Sequence, residues 1–343
     1  MVYGAQSGTS QCWKRKLNRS ERFAAQFGLN LPLVQGPMGG ISGPRLVAAV
    51  ADAGALGILP IWHLDLQRAR AAIAETFDMT KRTFAVNIRA DLHQQNHIAC
   101  ALDAGVTAFH LFWGDPAASM AAIRQGSGRM IATVSDADTT KAALDSGALA
   151  LIAQGVEAGG HVFGSAPLDA LLDEVLTLAG NTPVIAAGGL TDSGDVVNVL
   201  DQGAAGALLG TRFVATPESD AHEVYHRALI SAQAEDTVRT CCFDISWPNA
   251  PHRVLRNSTY RRWEEAGMPA PGARPGEHAS VATIAGRVEF PRYHAHPPTK
   301  AMTGDVEAMT LYAGTGVAKI ASILPAAEIV REIGLALAQR PQR

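Results

Sequence analysis

One phrase recurs four times along the chain and constrains its fold more than any other feature. Apolar helical residues run into Asp-x-Gly, and an apolar stretch of strand length follows at once, as in VADAGALGIL from Val50 and VLDQGAAGALLG from Val199. The same order occurs in ALDAGVTAFHL from Ala101 and ALDSGALALIA from Ala143. Glycine is the residue that most easily takes the left-handed conformation just past the end of a helix. The phrase therefore predicts the helix-to-strand join of a βα repeat.

With this join and the apolar runs between helical segments, eight strand candidates can be placed. They lie near Leu33, Leu56, Phe84, Ala108, Met130, Leu149, Val184 and Ala207. Helical spacing predicts helices between them, at 45–52, 66–76, 96–103, 141–145, 168–179 and 196–201. Eight parallel strands that alternate with helices predict an α/β fold, the (β/α)8 TIM barrel. An open doubly wound sheet is the alternative, but neither GxGxxG after the first strand nor GxxxxGK[ST] is present.

The chain divides into three parts by composition. Residues 1–29 form an N-terminal lead-in, 30–220 the barrel, and 221–343 a C-terminal helical and loop-rich segment that we expect to pack on the barrel and cover its substrate side. Within that segment 221–232 is helical, whereas 241–304 is rich in Pro, Arg, His and Gly and lacks periodicity, which is typical of a lid or binding loop. Helical spacing resumes at Val317, and Pro325 predicts a break or a new helix start.

Composition argues against several functional classes. With 47% hydrophobic and 18% charged residues the chain is typical of an ordered globular protein. No apolar run approaches the ~18 residues of a membrane span, and no apolar stretch follows the charged N-terminus as in a secretory signal. We therefore expect a cytoplasmic protein. The net charge of -3 indicates no nucleic-acid partner, and the short basic run at 14–22 is interpreted as solvated.

The cysteine pattern predicts no disulfide framework and no thiolate metal site. None of the four cysteines forms a CxxC pair, so we expect reduced thiols at Cys12, Cys100, Cys241 and Cys242.

The active site of such a barrel forms at the carboxyl ends of its strands. The loops after the seventh and eighth strands often hold a phosphate with backbone N–H groups. Here those loops are AAGGLTDSGD and GTRF, in which Gly188, Gly189 and Gly210 allow close approach and Thr211 adds a hydroxyl. Thr191 or Asp192 can cap the next helix. These two loops together predict a phosphate site.

The loop after the sixth strand, QGVEAGGHVFG, places one imidazole among glycines. Gly155, Gly159 and Gly160 are expected to clear room for a flat ligand, with His161 at its edge as a proton acceptor. Glu157 either orients His161 or faces outward. FMN fits a planar phosphorylated ligand, and pyridoxal phosphate is the alternative, although no strand end supplies a lysine for it.

A different motif, HEVYH at 222–226, matches the HExxH pattern of zinc proteases. Two histidines four residues apart share one helix face, as zinc ligation requires. Five-residue patterns also arise by chance, and Ser219 and Asp220 before it look like a helix cap. We therefore favour an ordinary helix start and predict no metal site.

Several motifs together resemble the nitronate monooxygenase family, formerly called 2-nitropropane dioxygenases. They are QGPMGG at 35–40, FAVN at 84–87, FWGDP at 112–116, QGVEAGGH at 154–161, IAAGGLTD at 185–192, LLGTRF at 208–213 and GDVEAMTLYAG at 304–314. The resemblance covers nearly the whole chain and implies an FMN-dependent enzyme that oxidises nitronates with O2 to a carbonyl compound and nitrite.

The resemblance also implies roles for single residues. His161 matches the family's catalytic histidine, which takes a proton from a neutral nitroalkane. The positions that match the surroundings of FMN are Pro37, Met38, Asn87, Gln154, Gly159, Gly160, Gly188, Gly189, Gly210 and Thr211.

One departure and two alternatives accompany this resemblance. Thr315 stands where many relatives have a longer amide near the flavin end of the pocket, which leaves substrate choice open. FMN-dependent enoyl-thioester reductases resemble the same barrel and carry a GGH loop, so reduction of an enoyl thioester by NAD(P)H is the alternative activity. His278, His294 and His296 are interpreted as solvated loop residues, and a homodimer is kept as a hypothesis for the assembly.

Overall fold

The protein is described by a computed structural model, in which residues 17–340 are defined. Cys12 and residues 1–16 lie outside this part, as do 341–343. The cysteines within it, Cys100, Cys241 and Cys242, are free thiols. In the described part of the chain, no helix combines the length and the apolar character needed to cross a membrane.

Eight parallel strands form one sheet that curls into a barrel. They are β1 Leu33–Gln35, β2 Ile58–Pro60, β3 Ala85–Arg89, β4 Ala108–Phe112, β5 Arg129–Val134, β6 Ala150–Gln154, β8 Val184–Ala187 and β9 Gly206–Leu209. Their order is β1-β9-β8-β6-β5-β4-β3-β2. Leu56, just before β2, closes the circle: its N–H donates to Leu33 at 2.9 Å and its carbonyl accepts from Gln35 at 2.9 Å. The predicted (β/α)8 barrel is confirmed.

Helices cover the outside of the barrel. They are α2 Pro44–Asp52, α3 Leu66–Met79, α4 Gln95–Asp103, α5 Ala117–Gln125, α6 Ala137–Asp145, α7 Leu168–Ala179 and α8 Ser193–Asp201. The segment of α5 is not among the predicted helices, because its alanine-rich sequence buries little beyond Met120 and Ile123 and so shows a weak helical pattern. Asp192 caps α8 through the N–H of Asp195, as predicted.

The Asp-x-Gly phrase ends α2, α4, α6 and α8 as its sequence predicts. Each helix ends at the aspartate, and the glycine two residues later is left-handed, with φ of 95° at Gly54, 91° at Gly105, 91° at Gly147 and 105° at Gly203. A side chain would be strained there.

The N-terminal lead-in needs a correction. Helix α1, Arg19–Phe27, begins at an Asn18 capping box, and its Phe23 and Phe27 are fully buried. Both rings pack with the inward-facing apolar side chains of the strands, among them Ile58 and Ile152. A solvated run therefore does not extend into 19–22, because α1 fills the barrel interior.

The C-terminal segment adds short helices and two small antiparallel sheets. Its helices are α10 Glu223–Ser231, α11 Ser258–Glu265 and α12 Ala326–Ala338, and the one-turn helix α9, Thr211–Val214, precedes it directly after β9. One sheet joins β7 Gly160–His161, β10 Thr237–Thr240 and β11 His252–Leu255; the other joins β12 Ser280–Ile284, β13 Val288–Pro291 and β14 Met302–Gly304. The stretch 241–304 is therefore more regular than its composition predicts.

Helix α12 begins directly after Pro325 and returns to the barrel. It packs against α2 and α8 and buries Ile329, Val330 and Ile333 in the layer between strands and helices. This helix completes the outer ring, so the predicted boundary at residue 220 separates one barrel helix from the rest.

Candidate active site

One cavity lies at the carboxyl ends of the barrel strands, with an empty volume of about 1170 Å³ that opens to solvent. All eleven residues predicted for the site line it: Pro37, Met38, Asn87, Gln154, Gly159, Gly160, His161, Gly188, Gly189, Gly210 and Thr211. The C-terminal segment contributes Trp247, Pro297 and Tyr312 to the same wall. Among the described residues at this wall, none is Lys, Arg, Asp or Glu. Any anion bound here would be held by neutral donors.

The loops after β8 and β9 form a bare backbone surface. Gly188 and Gly189 have φ of 128° and 68°, and their N–H groups donate to no carbonyl within residues 17–340. A Cβ on Gly210 would have nothing within 4 Å, although Gly210 lines the cavity. The Thr211 hydroxyl accepts from Gly314 N at 3.0 Å and keeps its proton for another acceptor. Free N–H groups and open space at such loops suit a phosphate.

The predicted reason for the glycines in GVEAGG holds at one position only. A Cβ on Gly155 would lie 2.6 Å from Leu168 Cα, and one on Gly159 would lie 2.5 Å from Gly314 N. These two glycines are needed for packing of the loop against its neighbours. Gly160, with φ of 82°, has nothing within 4 Å of a Cβ and leaves space in the cavity.

Strand β7 positions His161. It pairs with β11 so that His161 faces His252 in register, and Val162 N donates to Pro251 O at 2.8 Å. The Nε2 atom of His161 is buried and has no hydrogen-bond partner in the described chain. Gln154 donates through Nε2 to His161 O at 3.2 Å, and its Oε1 is also buried without a partner. Two orphaned polar atoms at one cavity wall indicate that a bound group completes them.

Trp247 contacts both His161 and Arg89. The imidazole stacks on the indole with ring centroids 3.8 Å apart and an interplanar angle of 22°. The Arg89 guanidinium carbon lies 3.3 Å from a ring centroid of the same indole. Asp91 holds Arg89 in a two-pronged ion pair, with N–O distances of 3.0 and 2.6 Å. The ion pair with Asp91 holds the Arg89 guanidinium against the indole, and the stack on Trp247 fixes the plane of the His161 imidazole.

Burial keeps the His161 imidazole neutral. Desolvation is the largest cause that lowers the pKa of His161 well below 6.5, and the positive charge of Arg89 and the neighbouring His252 lower it further. The pKa of His252 itself falls to about 4, again mainly through burial. At neutral pH His161 is therefore uncharged, and its Nε2 has no partner among the described residues.

A polar row crosses the barrel interior below these loops. Asn87 on β3 donates through Nδ2 to His110 Nδ1 at 3.1 Å, so the His110 proton lies on Nε2, which contacts Thr133 Oγ1 at 2.8 Å. Burial lowers the pKa of His110 to about 3, and this histidine is neutral. All three residues line the cavity. The row fixes the Asn87 amide, which leaves its carbonyl oxygen for a ligand.

Comparison with known proteins places this arrangement in a family. The sequence model described as "Nitronate monooxygenase" matches residues 20–108 and 93–335. The chain belongs to the nitronate monooxygenase family. Members of this family are flavin-dependent oxidoreductases, and this chain is one of them.

Named relatives within the family differ in activity. The chain is 29% identical to the nitronate monooxygenase of Pseudomonas aeruginosa, over 92% of this chain and 98% of the relative. It is 34% identical, over 76% of this chain and 71% of the relative, to a Mycobacterium tuberculosis protein named (3aS,4S,5R,7aS)-5-hydroxy-7a-methyl-1-oxo-octahydro-1H-indene-4-carboxyl-CoA dehydrogenase.

Two solved structures with different names also superpose on this chain. FabK from Thermotoga maritima superposes with a TM-score of 0.78 at 27% identity, covering 93% of this chain and 96% of that one. Nitroalkane oxidase from Streptomyces ansochromogenes superposes with a TM-score of 0.75 at 29% identity, covering 93% and 98%.

The sequence analysis did not predict several residues in or beside the first cavity. Trp247 and Tyr312 lie far from the ends of the barrel strands in sequence, and Arg89 is the last residue of β3. His110 and Thr133 had a usable signal, because alternate residues of a barrel strand face inward. No periodic signal marks Trp247, since it lies in 241–304.

Glu157 differs from its prediction, and Thr315 lies beside a loop of the predicted phosphate site. Two roles were predicted for Glu157: to orient His161 or to face solvent. Instead, its Oε2 accepts a hydrogen bond from Leu168 N at 3.1 Å, at the start of α7. Thr315 lies against the loop after β8: its hydroxyl would lie 2.9 Å from a Cβ on Gly189. Its N–H donates to Glu157 O at 3.0 Å. Thr315 therefore supports the loops that suit a phosphate.

The histidines of HEVYH have other partners. His222 precedes α10 and caps it, accepting from Val224 N at 3.1 Å. His226 Nε2 contacts Val214 O at 2.9 Å and Ser219 Oγ at 3.2 Å. Within residues 17–340, no group of three or more His, Cys, Asp or Glu side chains is arranged to hold a metal ion. The motif is a helix start.

The loop histidines are only partly solvated. His278 is exposed, as expected. His294 and His296 are half-buried and pack against Phe290, and burial lowers the pKa of His294 to about 4. The interpretation of these two as solvated residues is wrong, because 241–304 folds onto the barrel.

Replacing Trp247 with Leu should raise the pKa of His161 toward 6.5. Water would reach the imidazole once the stacked ring is gone, and desolvation is the main cause of the low pKa. The measurement is an NMR titration of the histidine ring protons. Trp263→Leu, on α11 beside Tyr260, is the matched control and should leave the His161 titration unchanged. An unchanged titration in both variants would contradict the role given to Trp247.

Proposed function

We propose that the protein is an FMN-dependent nitronate monooxygenase, which oxidises alkyl nitronates, and nitroalkanes after proton removal, with O2 to a carbonyl compound and nitrite. The observation that carries this proposal is the buried, unpartnered Nε2 of His161 at the wall of the cavity. Leaving such an atom unpaired destabilises a protein by about 1–3 kcal/mol. A neutral imidazole held this way has the protonation state that removal of a weakly acidic C–H proton requires.

The residues present fit FMN. Gly188, Gly189, Gly210 and Thr211 would hold its phosphate through N–H and hydroxyl donors, since open space lies beside Gly210. The ring would lie among Pro37, Met38, Asn87, Gln154, Gly159 and Gly160, where Gln154 Oε1 lacks a partner. Bound FMN would accept two electrons from the substrate and pass them to O2.

The proposed role of His161 differs between the neutral nitroalkane and the nitronate. A neutral nitroalkane must lose a proton from the carbon next to its nitro group, and Nε2 can accept it. A nitronate has already lost that proton, so His161 then only fills and orients the site. Use of O2, a cytoplasmic location and a homodimer stay predictions.

A second candidate is an enoyl-thioester reductase that uses NAD(P)H. The observation that favours it is the 34% identity with the M. tuberculosis protein, whose name describes a dehydrogenase of a carboxyl-CoA. The same cavity and His161 would serve either reaction, so the two candidates differ in which compound reduces the flavin.

Anaerobic absorbance spectra separate the two candidates. Under our proposal, adding propionate 3-nitronate without oxygen should bleach the visible flavin absorbance of the purified protein, and air should restore it. Bleaching by NADPH alone, reversed by crotonyl-CoA, would instead support the reductase. Purified protein without flavin would contradict both candidates.

Replacing His161 with Asn should lower kcat/KM for neutral nitroethane at least 100-fold, the usual contribution of a general base being about 10²–10⁴. Activity on ethyl nitronate should change by less than about threefold, because no proton has to be removed. Steady-state kinetics with both forms, with flavin content as a check, measures this difference. His278→Asn replaces an exposed histidine and should match wild type. Equal losses on both substrate forms would refute the base assignment.

Replacing Gly210 with Val should empty the flavin site. The backbone at Gly210 has an ordinary φ of -104°, so the fold accepts a side chain, which would occupy the open space where the phosphate is proposed. We expect the flavin content per protein to fall at least tenfold, measured from visible absorbance. Gly194→Ala in α8 is the control and should retain flavin. Full flavin content in Gly210→Val would place the phosphate elsewhere.

A further inference from the structure

A second cavity lies beside the first, outside the ends of β4 and β5. Its empty volume is about 980 Å³ and opens to solvent, and its walls come from the loop after β4, from β5 and from α6. Phe112 and Thr133 line both cavities. The two spaces are therefore neighbours that share these two side chains.

Trp113 connects the second cavity to the proposed base. Its indole contacts the His161 ring at 6.0 Å and the Phe163 ring at 5.0 Å between centroids. Trp113 and Phe163 both line the second cavity, while His161 lines the first. Trp113 thus belongs to the wall of the second cavity and contacts the ring that lines the first.

The backbone holds this indole in an uncommon conformation. Trp113 has a left-handed φ of 62°, which is unfavourable for a bulky residue. Gly114 follows with φ of 104°, and a Cβ there would lie 2.6 Å from Asp91 N. The Trp113 carbonyl accepts from that same N–H at 2.8 Å. Strain of this kind persists where the surroundings enforce it, commonly at ligand sites.

The residues that line the second cavity favour an apolar ligand. Leu111, Val134 and Phe163 line it, and its described wall has no Lys, Arg or His. The hydroxyls of its wall already have partners: Thr133 contacts His110, and Thr139 bonds Asp136. Asp115 and Asp138 are exposed carboxylates at its rim, which disfavour a phosphate or carboxylate. The wall offers a ligand apolar side chains and no positive charge, so an uncharged apolar chain is the ligand that suits it.

We propose that the second cavity binds the hydrocarbon substituent of the substrate that reacts at His161. The substrate class is then a nitronate that carries an uncharged hydrocarbon chain, and its polar end stays in the first cavity. This inference rests on the proposed function for the identity of the polar end. The cavity itself and its apolar ligand do not depend on it.

Ala142 offers a way to fill the second cavity without touching the first. It is an exposed residue of α6 that lines only the second cavity, so a larger side chain there meets open space. Ala142→Phe is the test variant. Ala121→Phe on α5 is the matched control, since Ala121 is also exposed and lines neither cavity.

The kinetic test compares nitronates from ethyl to octyl. In wild type we expect kcat/KM to rise up to about fourfold per methylene, the factor equivalent to about 0.8 kcal/mol of buried CH2. In Ala142→Phe the octyl nitronate should lose at least tenfold, while the ethyl nitronate changes less than twofold. Ala121→Phe should reproduce wild type. A series that is equally steep in Ala142→Phe and wild type would overturn the proposal.

A binding test separates this inference from the proposed function. Calorimetric titration with 1-octanol should show binding to wild type and Ala121→Phe, weakened at least tenfold in Ala142→Phe. If no nitronate is oxidised but octanol binding is lost in Ala142→Phe, the proposed function fails and the apolar subsite stands. If nitronates are oxidised at rates independent of chain length, and octanol binds all three proteins equally, the subsite fails and the proposed function stands.

Discussion

Closure of the parallel barrel is the constraint on which the rest of this structure depends. Leu56 joins β1 to the start of β2 with two backbone hydrogen bonds, and the eight carboxyl ends of the strands then form one ring. Loops more than a hundred residues apart in sequence, such as those of Pro37 and Gly210, meet at one cavity only because of this closure. At the other end α1 fills the barrel interior with Phe23 and Phe27, so the barrel is a packed core with a single functional end.

Within that ring, the environment of His161 decides what the site can do. An exposed histidine would be partly protonated near neutral pH. Here burial lowers the pKa of His161, and the charge of Arg89, which contacts the same Trp247 indole, acts in the same direction. Asp91 pairs with Arg89, so the buried cation is not left alone. The result is a neutral imidazole held in a fixed plane with one nitrogen free.

Most of the fold was predictable because its signals are local. The Asp-x-Gly phrase predicts four helix ends, and all four glycines are left-handed. The eight strands follow from short apolar runs between those helices. The role of α12 was not predictable, since its partners α2 and α8 are chosen by packing across the barrel. The regular structure in 241–304 was also hidden, because strands of three to five residues carry too few positions to show a period.

The candidate site divides in the same way. All eleven predicted residues line one cavity, because barrel topology alone brings strand ends together. The sequence did not predict why each position in this loop is glycine. Gly155 and Gly159 are glycines because of close packing, and of these three glycines only Gly160 leaves open space.

The sequence by itself determined the barrel, its functional end and the loops with bare backbone, since each depends on neighbours along the chain. Only the tertiary structure decided that Trp247 stacks on His161, that Glu157 caps α7 and that a second apolar cavity adjoins the first. Those contacts join residues that are distant in sequence or lie in different layers. Burial and close packing act on the folded chain, and no local pattern of residues records them.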